Sequence, residues 1–383
     1  MKRLTNLITG QTLLIVVLGL LIAFPFGCSK KESETDEIII GAILPLTGSG
    51  AKYGQSAKKG TDLAVEEINA LGGIRDKTLR VIYEDSMLDP KQGVSAINKL
   101  VTVNKVPAII GAMASSVTLA IAPIAEKNNV VLLSPASSAP EISKAGDYIF
   151  RNTYSDIYEG LRMGTYAYKE LKLRRMAVLH INNDFGVGLR KTFGQSFVKL
   201  GGEVVATESY EQGATDFRTQ LNKVKQSEPD AIYIVGYSEM GQLLRQAKEI
   251  GINIPFISCI MFEDPKILEI AKEAAEGVIY AYPAYAPVSG QQNVSRFVSK
   301  FEQKHNEKPD IYAASSYDAL KILAYAIDRG GFSSEEIKKS LYSIKDFPGV
   351  TGSTTFDSNG DVTKPIGIKK VQNGIFTWAQ TEF

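Results

Sequence analysis

The sequence predicts an α/β protein built as two doubly wound lobes, each with a mostly parallel sheet wrapped by helices. Three observations lead to this fold class. Short apolar segments alternate regularly with helical patterns from residue 38 to residue 284. This alternation provides about ten strands, which is the upper limit for one twisted open sheet. After residue 290 the pattern changes to three consecutive helices, which cannot continue a series of strand–helix–strand crossovers.

Residues 38–153 are predicted to form the first part of lobe one. Each strand is a short β-branched or apolar segment, and each helix carries apolar residues on one side. The first helix stops before Gly72 and Gly73, which suit the left-handed conformation at a helix end. The predicted strands are Ile38–Leu44, Leu79–Glu84, Ala108–Gly111, Val130–Leu133 and Tyr148–Arg151, and the predicted helices are Gln55–Ala70, Lys91–Val103 and Thr118–Ala125.

Residues 154–284 continue the alternation and are predicted to form the first part of lobe two. Because the order is again helix, strand, helix, we expect parallel strands joined by right-handed crossovers. The predicted helices are Ile157–Leu171, Gly188–Leu200, Phe217–Gln226, Met240–Ile250 and Pro265–Ala274, and the predicted strands are Met176–Ile181, Val204–Ser209, Ala231–Val235, Phe256–Ile260 and Gly277–Tyr282.

The last hundred residues differ from the rest. We expect residues 285–350 to return to lobe one as helices and residues 351–383 to add strands to lobe two. The chain would then cross between the lobes several times, which favours a hinge over two independent domains. The predicted elements are the helices Val294–His305, Tyr312–Arg329 and Ser334–Leu341 and the strands Thr354–Asp357 and Ile366–Val371.

Composition excludes several function classes. The chain has 383 residues, of which 44% are hydrophobic and 22% charged, and its formal net charge is +1. Without a basic excess to neutralise phosphates, nucleic acid is not an expected partner. Two cysteines, Cys28 and Cys259, cannot build a disulfide framework or a zinc site. The sequence has no phosphate-binding loop, nucleophile elbow or paired histidines at metal spacing, so we expect no enzyme activity, metal or cofactor.

Residues 1–27 are predicted to be a signal peptide. Lys2 and Arg3 precede the apolar segment Leu13–Phe24, which is shorter than a membrane span. The segment ends just before Cys28 and resembles a bacterial lipoprotein signal, in which the cysteine is lipidated. Residues 28–37 would then be a polar tether. The alternative is an ordinary secretory signal with a chance cysteine.

The stretch from Ala108 to Ser138 contains the features that indicate a ligand site. Two predicted strands each run into a hydroxyl-rich loop, the first with Ser115 and Ser116 and the second with Ser137 and Ser138. In an open parallel sheet, ligands bind beyond the carboxyl ends of the strands. Hydroxyls and free N–H groups at a helix start suit an anion. A small carboxylate is therefore the expected ligand group.

Each candidate also has a purely structural interpretation. Ser115 or Ser116 could cap the helix that is predicted from Thr118. Ser137 and Ser138 could only satisfy the backbone of their loop. Glu263 could be part of an acidic first helical turn. Three aromatic candidates could as well belong to a core: Tyr53, Phe185 and Tyr237.

An ordered series of short motifs resembles the periplasmic leucine/isoleucine/valine-binding proteins, the solute-binding components of ABC importers for branched-chain amino acids. The resemblance covers nearly all of the chain after the signal. It implies two α/β lobes joined by three crossovers, the type I periplasmic binding protein fold, which close on one amino acid. The motifs are Gly41-Ala42-Ile43-Leu44-Pro45-Leu46-Thr47-Gly48, Tyr53-Gly54, Ala64-Val65-Glu66-Glu67-Ile68-Asn69-Ala70-Leu71-Gly72-Gly73-Ile74, Asp89-Pro90-Lys91-Gln92, Ser134-Pro135-Ala136, Ala139-Pro140-Glu141, Asp184-Phe185-Gly186, Asp216-Phe217 and Gly236-Tyr237-Ser238-Glu239-Met240-Gly241.

The resemblance implies a role for each candidate. The carboxylate of the ligand would bind Ser115, Ser138 and backbone groups of Ala136 and Ser137, and the ammonium would bind Glu263. Aromatic contacts would come from Tyr53, Tyr237 and Phe185. This arrangement is chemically coherent, because both charges of a zwitterion must be paired when they leave water.

The resemblance also implies a function. We expect a monomeric, membrane-anchored lipoprotein of the periplasm or cell envelope that captures a small apolar amino acid by lobe closure and delivers it to an ABC permease. Two alternatives keep the same fold: a ligand-sensing subunit, and a binder of aromatic or aliphatic carboxylates that lack an ammonium group.

Overall fold

A computed structural model describes residues 36–283, 285 and 291–379. Both lobes lie within this part of the chain. The predicted signal peptide, Cys28 and the first part of the tether lie outside it. Among the described residues, no helix is long and apolar enough to cross a membrane.

The first lobe contains a five-stranded parallel sheet in the order β2-β1-β3-β4-β5. Each of its first four strands is followed by a loop at the same edge, as the right-handed crossover requires. Its strands are β1 (Glu37–Leu44), β2 (Thr78–Asp85), β3 (Ala108–Gly111), β4 (Val131–Ser134) and β5 (Ile149–Arg151), and its helices are α1 (Ala51–Ala70), α2 (Pro90–Thr102) and α3 (Ser115–Lys127).

The second lobe contains a seven-stranded mixed sheet in the order β14-β13-β10-β9-β8-β6-β7. Strands β6 to β10 are parallel, and β13 joins β10 in antiparallel fashion. Its strands are β6 (Arg175–Ile181), β7 (Glu203–Tyr210), β8 (Ala231–Val235), β9 (Phe256–Ser258), β10 (Ile279–Pro283), β13 (Ile366–Gln372) and β14 (Ile375–Trp378), and its helices are α4 (Asp156–Lys169), α5 (Asp184–Lys199), α6 (Arg218–Gln226), α7 (Met240–Glu249) and α8 (Pro265–Ala271).

Three helices and a small hairpin lie between β10 and β13. Helix α10 packs along α1 and buries Leu320, Leu323 and Ile327 against the first lobe. The close approach depends on Gly60 of α1, because a Cβ there would lie 2.0 Å from the carbonyl oxygen of Ala313. These elements are α9 (Gln292–His305), α10 (Ile311–Gly330), α11 (Ser334–Ser343), β11 (Phe347–Gly349) and β12 (Gly352–Thr354).

The predicted fold class, two doubly wound lobes with three chain crossings, is confirmed. The chain leaves the first sheet after β5, returns after β10 and crosses again before β13. The predicted strand Thr354–Asp357 is wrong, since this region instead ends the isolated β11–β12 hairpin. Helix α3 also starts earlier than predicted, at Ser115 instead of Thr118, so Ser115 lies in its first turn.

The central strands of each sheet are buried on both faces. Successive side chains of a strand point to opposite faces. In the first lobe, Ile109 and Leu132 therefore pack with α2 and α3, whereas Ile110 and Leu133 pack with α1 and α10. This two-sided burial leaves the strand ends as the place where ligand-binding groups can reach a cleft.

A buried ion pair fixes the end of β5, where the chain first crosses between the lobes. Arg151 is fully buried and donates two hydrogen bonds to Asp361, of 2.6 and 2.8 Å. It also donates to the carbonyl oxygens of Ser138 and Ala139, at 3.0 and 2.9 Å. The guanidinium thus joins the crossing, the loop after β4 and the segment before β13.

Replacing this arginine should destabilise the fold strongly. In Arg151→Met the carboxylate of Asp361 stays buried without its cation, so we expect the free energy of unfolding to fall by about 3–5 kcal/mol. The measurement is urea unfolding followed by circular dichroism. Arg218→Met is the control, because Arg218 pairs with Asp216 and Glu249 in solvent and should cost less than about 1 kcal/mol. Equal losses in the two variants would contradict the structural role of Arg151.

A candidate ligand pocket between the lobes

A pocket lies where the carboxyl ends of the strands of the two sheets face each other. Its cavity volume, counted as the space open to the centre of a water molecule, is about 50 Å³. Loops after β1 to β4 form one wall, loops after β6, β8 and β9 form the other, and the start of α10 closes one side. The lining residues are Tyr53, Leu88, Met113, Ala114, Ser115, Pro135, Ala136, Ser138, Thr153, Phe185, Tyr237, Ile260, Met261, Ile311, Tyr312 and Ser315.

Two serines of the first lobe meet at this pocket, as the sequence predicted. Ser115 is the first residue of α3, and its Oγ accepts hydrogen bonds from the N–H groups of Ser138 and Ala139, at 3.3 and 3.1 Å. The helix begins three residues earlier than predicted, with Ala114 as its N-cap and no side-chain cap. The capping interpretation of Ser115 is therefore wrong, and the first N–H groups of α3 lie beside its hydroxyl.

Ser116 and Ser137 are not among the residues that line the pocket. Ser137 is buried behind the wall, where its hydroxyl contacts the carbonyl oxygen of Ala112 at 3.0 Å and the hydroxyl of Thr118 at 2.8 Å. Ser137 therefore holds the loop after β4 against the loop after β3. The backbone of Ala136, next to it, does line the pocket.

Aromatic rings cover the apolar sides of the pocket. Phe185 and Tyr237 of the second lobe stack with ring centroids 5.9 Å apart. Tyr53 of the first lobe meets Tyr312 edge to face at 5.1 Å. Burial raises the pKa of both Tyr53 and Tyr237, so these hydroxyls stay neutral and act as hydrogen-bonding groups. The resemblance implied contacts from Tyr53, Phe185 and Tyr237, and the structure places these three rings at the pocket. It did not imply Tyr312, whose place in a long helical pattern gave no sign of a ligand contact.

The structure does not bring Glu263 to this pocket, which corrects its expected placement. Strand β9 ends at Ser258, and a short 3-10 turn follows from Ile260 to Phe262. That turn directs Ile260 into the pocket, whereas Glu263 lines an adjoining cavity that shares Tyr53, Ile260, Ile311 and Tyr312 with the pocket. The carboxylate of Glu263 accepts hydrogen bonds from Tyr280 and Lys369 instead.

The environment of Lys369 explains the position of the Glu263 side chain. The ammonium of Lys369 lies 4.8 Å from the ring centroid of Tyr282 and 5.2 Å from that of Trp378. A nearly buried cation needs an anion, and Glu263 supplies it. This pairing joins residues that are 106 positions apart in the chain.

Among the described residues that line the pocket, none carries an acidic or a basic side chain. The polar groups there are the hydroxyls of Ser115, Ser138, Thr153 and Ser315, the tyrosine hydroxyls and the backbone. Such a pocket can donate hydrogen bonds to a carboxylate at the start of α3 and bury an apolar group against the aromatic rings. Its own lining provides no carboxylate for an ammonium group, and Glu263 lies in the adjoining cavity.

Comparison with known proteins decides the family. A family model described as periplasmic binding protein matches residues 37–374. The chain belongs to this family of periplasmic binding proteins. Its family and its structural neighbours are solute-binding proteins without enzyme activity, and the family is periplasmic.

Relatives of this periplasmic binding protein bind amino acids. The chain is 29% identical to the leucine-, isoleucine-, valine-, threonine- and alanine-binding protein of Pseudomonas aeruginosa, over 88% of this chain and 90% of the relative. It is also 29% identical to the Leu/Ile/Val-binding protein of Escherichia coli K12, over 93% and 94% of the two chains. The recognised resemblance to branched-chain amino-acid binding proteins is thus confirmed.

Two solved structures that are similar to this chain are also proteins that bind branched-chain amino acids. The leucine-binding protein LivK of Thermotoga maritima superposes with a TM-score of 0.85 at 31% identity, over 90% of this chain and 98% of the other. The branched-chain amino-acid binding protein LivJ of Streptococcus pneumoniae, solved with isoleucine, gives a TM-score of 0.82 at 33% identity, over 89% and 97%.

Two buried carboxyl groups lie behind the pocket of this periplasmic binding protein. Burial raises the pKa of Asp156 to about 7 and that of Glu159 to about 8. Glu159 accepts hydrogen bonds from the hydroxyl of Tyr154 at 3.0 Å and from the N–H of Ile260 at 3.1 Å. It therefore supports the turn that carries Ile260 into the pocket.

These two groups should make stability depend on pH. The folded protein holds protons that the unfolded chain releases above its ordinary carboxyl pKa, so the free energy of unfolding should fall as pH rises from about 5 to about 8. Glu159→Gln should make this decline shallower. The measurement is urea unfolding at a series of pH values.

The control for this series is Glu335→Gln. Glu335 is exposed, and hydrogen bonds from Tyr148 and Lys338 lower its pKa to about 2. Its replacement should leave the slope between about pH 5 and 8 unchanged, because it stays ionised in that range. An identical slope in the wild type and Glu159→Gln would contradict the assignment of a proton to Glu159.

Proposed function

We propose that this chain is the solute-binding component of an ABC importer and that it captures a small apolar ligand through its carboxylate and delivers it to a permease. The observation that carries the proposal is the pocket between the lobes, where Ser115, Ser138 and the start of α3 form a polar end in an otherwise apolar cavity. Family membership and the amino-acid binding relatives support the transport role.

The polar end suits an anion for three reasons. The N–H groups of the first turn of α3 have no carbonyl partner within the helix. The positive end of the helix dipole favours negative charge. The hydroxyl of Ser115 accepts from two N–H groups and keeps its own proton to donate to a ligand, and the side chains of Ser115 and Ser138 are nearly buried. A carboxylate bound here would be shielded from water and therefore held strongly.

Lobe closure follows from where the other contacts lie. The second lobe contributes Phe185, Tyr237 and Ile260, which would pack on the apolar part of the ligand. A ligand that touches both walls binds the closed form better than the open form and so shifts the population towards closure. The closed surface would then be the one that the permease recognises.

Two classes of ligand fit this proposal. An apolar amino acid is supported by the names of the relatives. An apolar carboxylate without an amino group is favoured by the pocket itself, because Ile260 lines it and Glu263 does not. An ammonium group buried among hydroxyls and carbonyls alone would lack the charged partner that offsets its desolvation.

Lipidation at Cys28 completes the proposal. The apolar segment and the cysteine that follows it support an acyl anchor, with residues 28–37 as the tether to the first lobe. The protein would then act as a monomer at the membrane surface, close to the permease.

A matched set of ligands tests the proposal. L-leucine, 4-methylpentanoate and 3-methylbutylamine share one apolar group and carry both charges, the carboxylate alone and the ammonium alone. We expect 4-methylpentanoate to bind at least as tightly as leucine and the amine not to bind, as measured by isothermal titration calorimetry. Tighter binding of leucine by tenfold or more would identify the amino-acid class instead. The carboxylate proposal fails if the amine binds and neither carboxylate does.

Two neighbouring serines provide a matched pair of variants. Ser115→Ala should weaken binding of a carboxylate about tenfold to a hundredfold, because a hydrogen bond to a charged group contributes about 1.5–3 kcal/mol. Ser116→Ala should change the affinity little, since Ser116 does not line the pocket. Calorimetry with the tightest ligand of the set measures both variants, and equal losses would exclude Ser115 as a direct contact.

A further inference from the structure

One carboxylate of the second lobe receives two hydrogen bonds from the first lobe. Asp264 stands directly before α8, and its Oδ1 accepts from the ammonium of Lys52 at 2.5 Å. Its Oδ2 accepts from the hydroxyl of Tyr53 at 2.8 Å. Lys52 and Tyr53 both lie in the first turn of α1. The contact therefore crosses the cleft from one lobe to the other.

Asp264 is held rigidly on its own lobe. Its Oδ1 also accepts a hydrogen bond from the N–H of Lys266 at 3.0 Å and so caps α8. The residue is 3% exposed. Burial by itself would raise its pKa, but the hydrogen bonds from Lys52, Lys266 and Tyr53 outweigh it and hold the pKa below its usual value. The group that meets the first lobe is thus an ionised, fixed acceptor.

The two donors contribute unequally. The side chain of Lys52 is 53% exposed, and a pair with such an exposed partner contributes little in water. The hydroxyl of Tyr53 is buried, so its hydrogen bond to an ionised acceptor is the stronger of the two. The ring of Tyr53 lines the ligand pocket. One side chain therefore touches the ligand space and the opposite lobe at the same time.

We propose that Asp264 is a positioning residue that clasps the two lobes together through Tyr53 and so sets how long a bound ligand is retained. This inference rests on the proposed function, because it requires a ligand that is held between the lobes. Asp264 itself does not line the pocket. Its effect on the ligand is transmitted by the ring of Tyr53 and by the closed arrangement of the lobes.

Three variants and one matched control separate the clasp from helix capping. Asp264→Asn removes the charge but keeps a residue that caps helices well. Tyr53→Phe removes the hydroxyl and leaves the ring and the α8 cap in place. Lys52→Met removes the exposed ion pair. The control is Asp89→Asn, because Asp89 also caps a helix that starts with proline, accepts from the N–H groups of Lys91 and Gln92, and lies within the first lobe.

The first measurement is the dissociation rate by stopped-flow fluorescence, with L-leucine and 4-methylpentanoate as probes and the full-length protein in detergent. We expect dissociation to be about tenfold faster or more in Asp264→Asn and Tyr53→Phe, with a small change in association rate, as for other buried charged contacts. Lys52→Met should have a smaller effect, and Asp89→Asn none. A purely structural cap would not separate the two rates in this way.

The second measurement needs no ligand. Hydrogen exchange of the ligand-free protein, followed by mass spectrometry, should be faster in Asp264→Asn than in the wild type at the pocket-lining loops 112–116 and 135–139, which contain no substitution. Asp89→Asn should alter exchange only around α2. If neither probe binds the wild type, the proposed function fails and exchange alone decides the clasp. Asp264→Asn that matches Asp89→Asn in every available measurement would overturn the inference.

Discussion

The polar end of the pocket depends on one constraint, that parallel strands can only be joined by crossovers. Every crossover leaves a strand at the same edge of its sheet, so the loops after β1 to β4 gather at one place. The second sheet gathers the loops after β6, β8 and β9 in the same way. Because the two edges face each other, residues that follow eight different strands, β1 to β6, β8 and β9, share one cavity.

The groups that follow the strand ends were expected at the cleft partly from their place in the chain and partly from the resemblance to branched-chain amino-acid binding proteins. Ser115 and Ser138 follow strands β3 and β4, and a strand end in a parallel sheet leads into the cleft whatever the side chain is. Tyr53, Phe185 and Tyr237 follow β1, β6 and β8 and reach the pocket for the same reason. The fold class was predictable on similar grounds, because it depends on the order of strands and helices and not on individual contacts.

The acidic partner was not predictable because two non-local facts decide its position. The apolar residues from Phe256 to Phe262 continue a strand pattern, yet β9 ends after three residues and a 3-10 turn follows. Glu263 then pairs with Lys369, a cation brought in by a strand near the end of the chain. The residues around Glu263 indicate neither the length of β9 nor the need of Lys369 for an anion. The contact of Asp264 with the first lobe was not predictable for a related reason, because its partners Tyr53 and Lys52 lie 211 and 212 positions earlier in the chain.

The hydrogen bonds of Arg151 hold one wall of the pocket and do not reach the other. The guanidinium donates hydrogen bonds to the carbonyl oxygens of Ser138 and Ala139 and thereby fixes the wall that contains the candidate serines. The facing wall is made of side chains such as Phe185, Tyr237 and Ile260, none of which takes part in that grip. Side chains on the facing wall can therefore be replaced without disturbing the hydrogen bonds that Arg151 makes to Ser138 and Ala139.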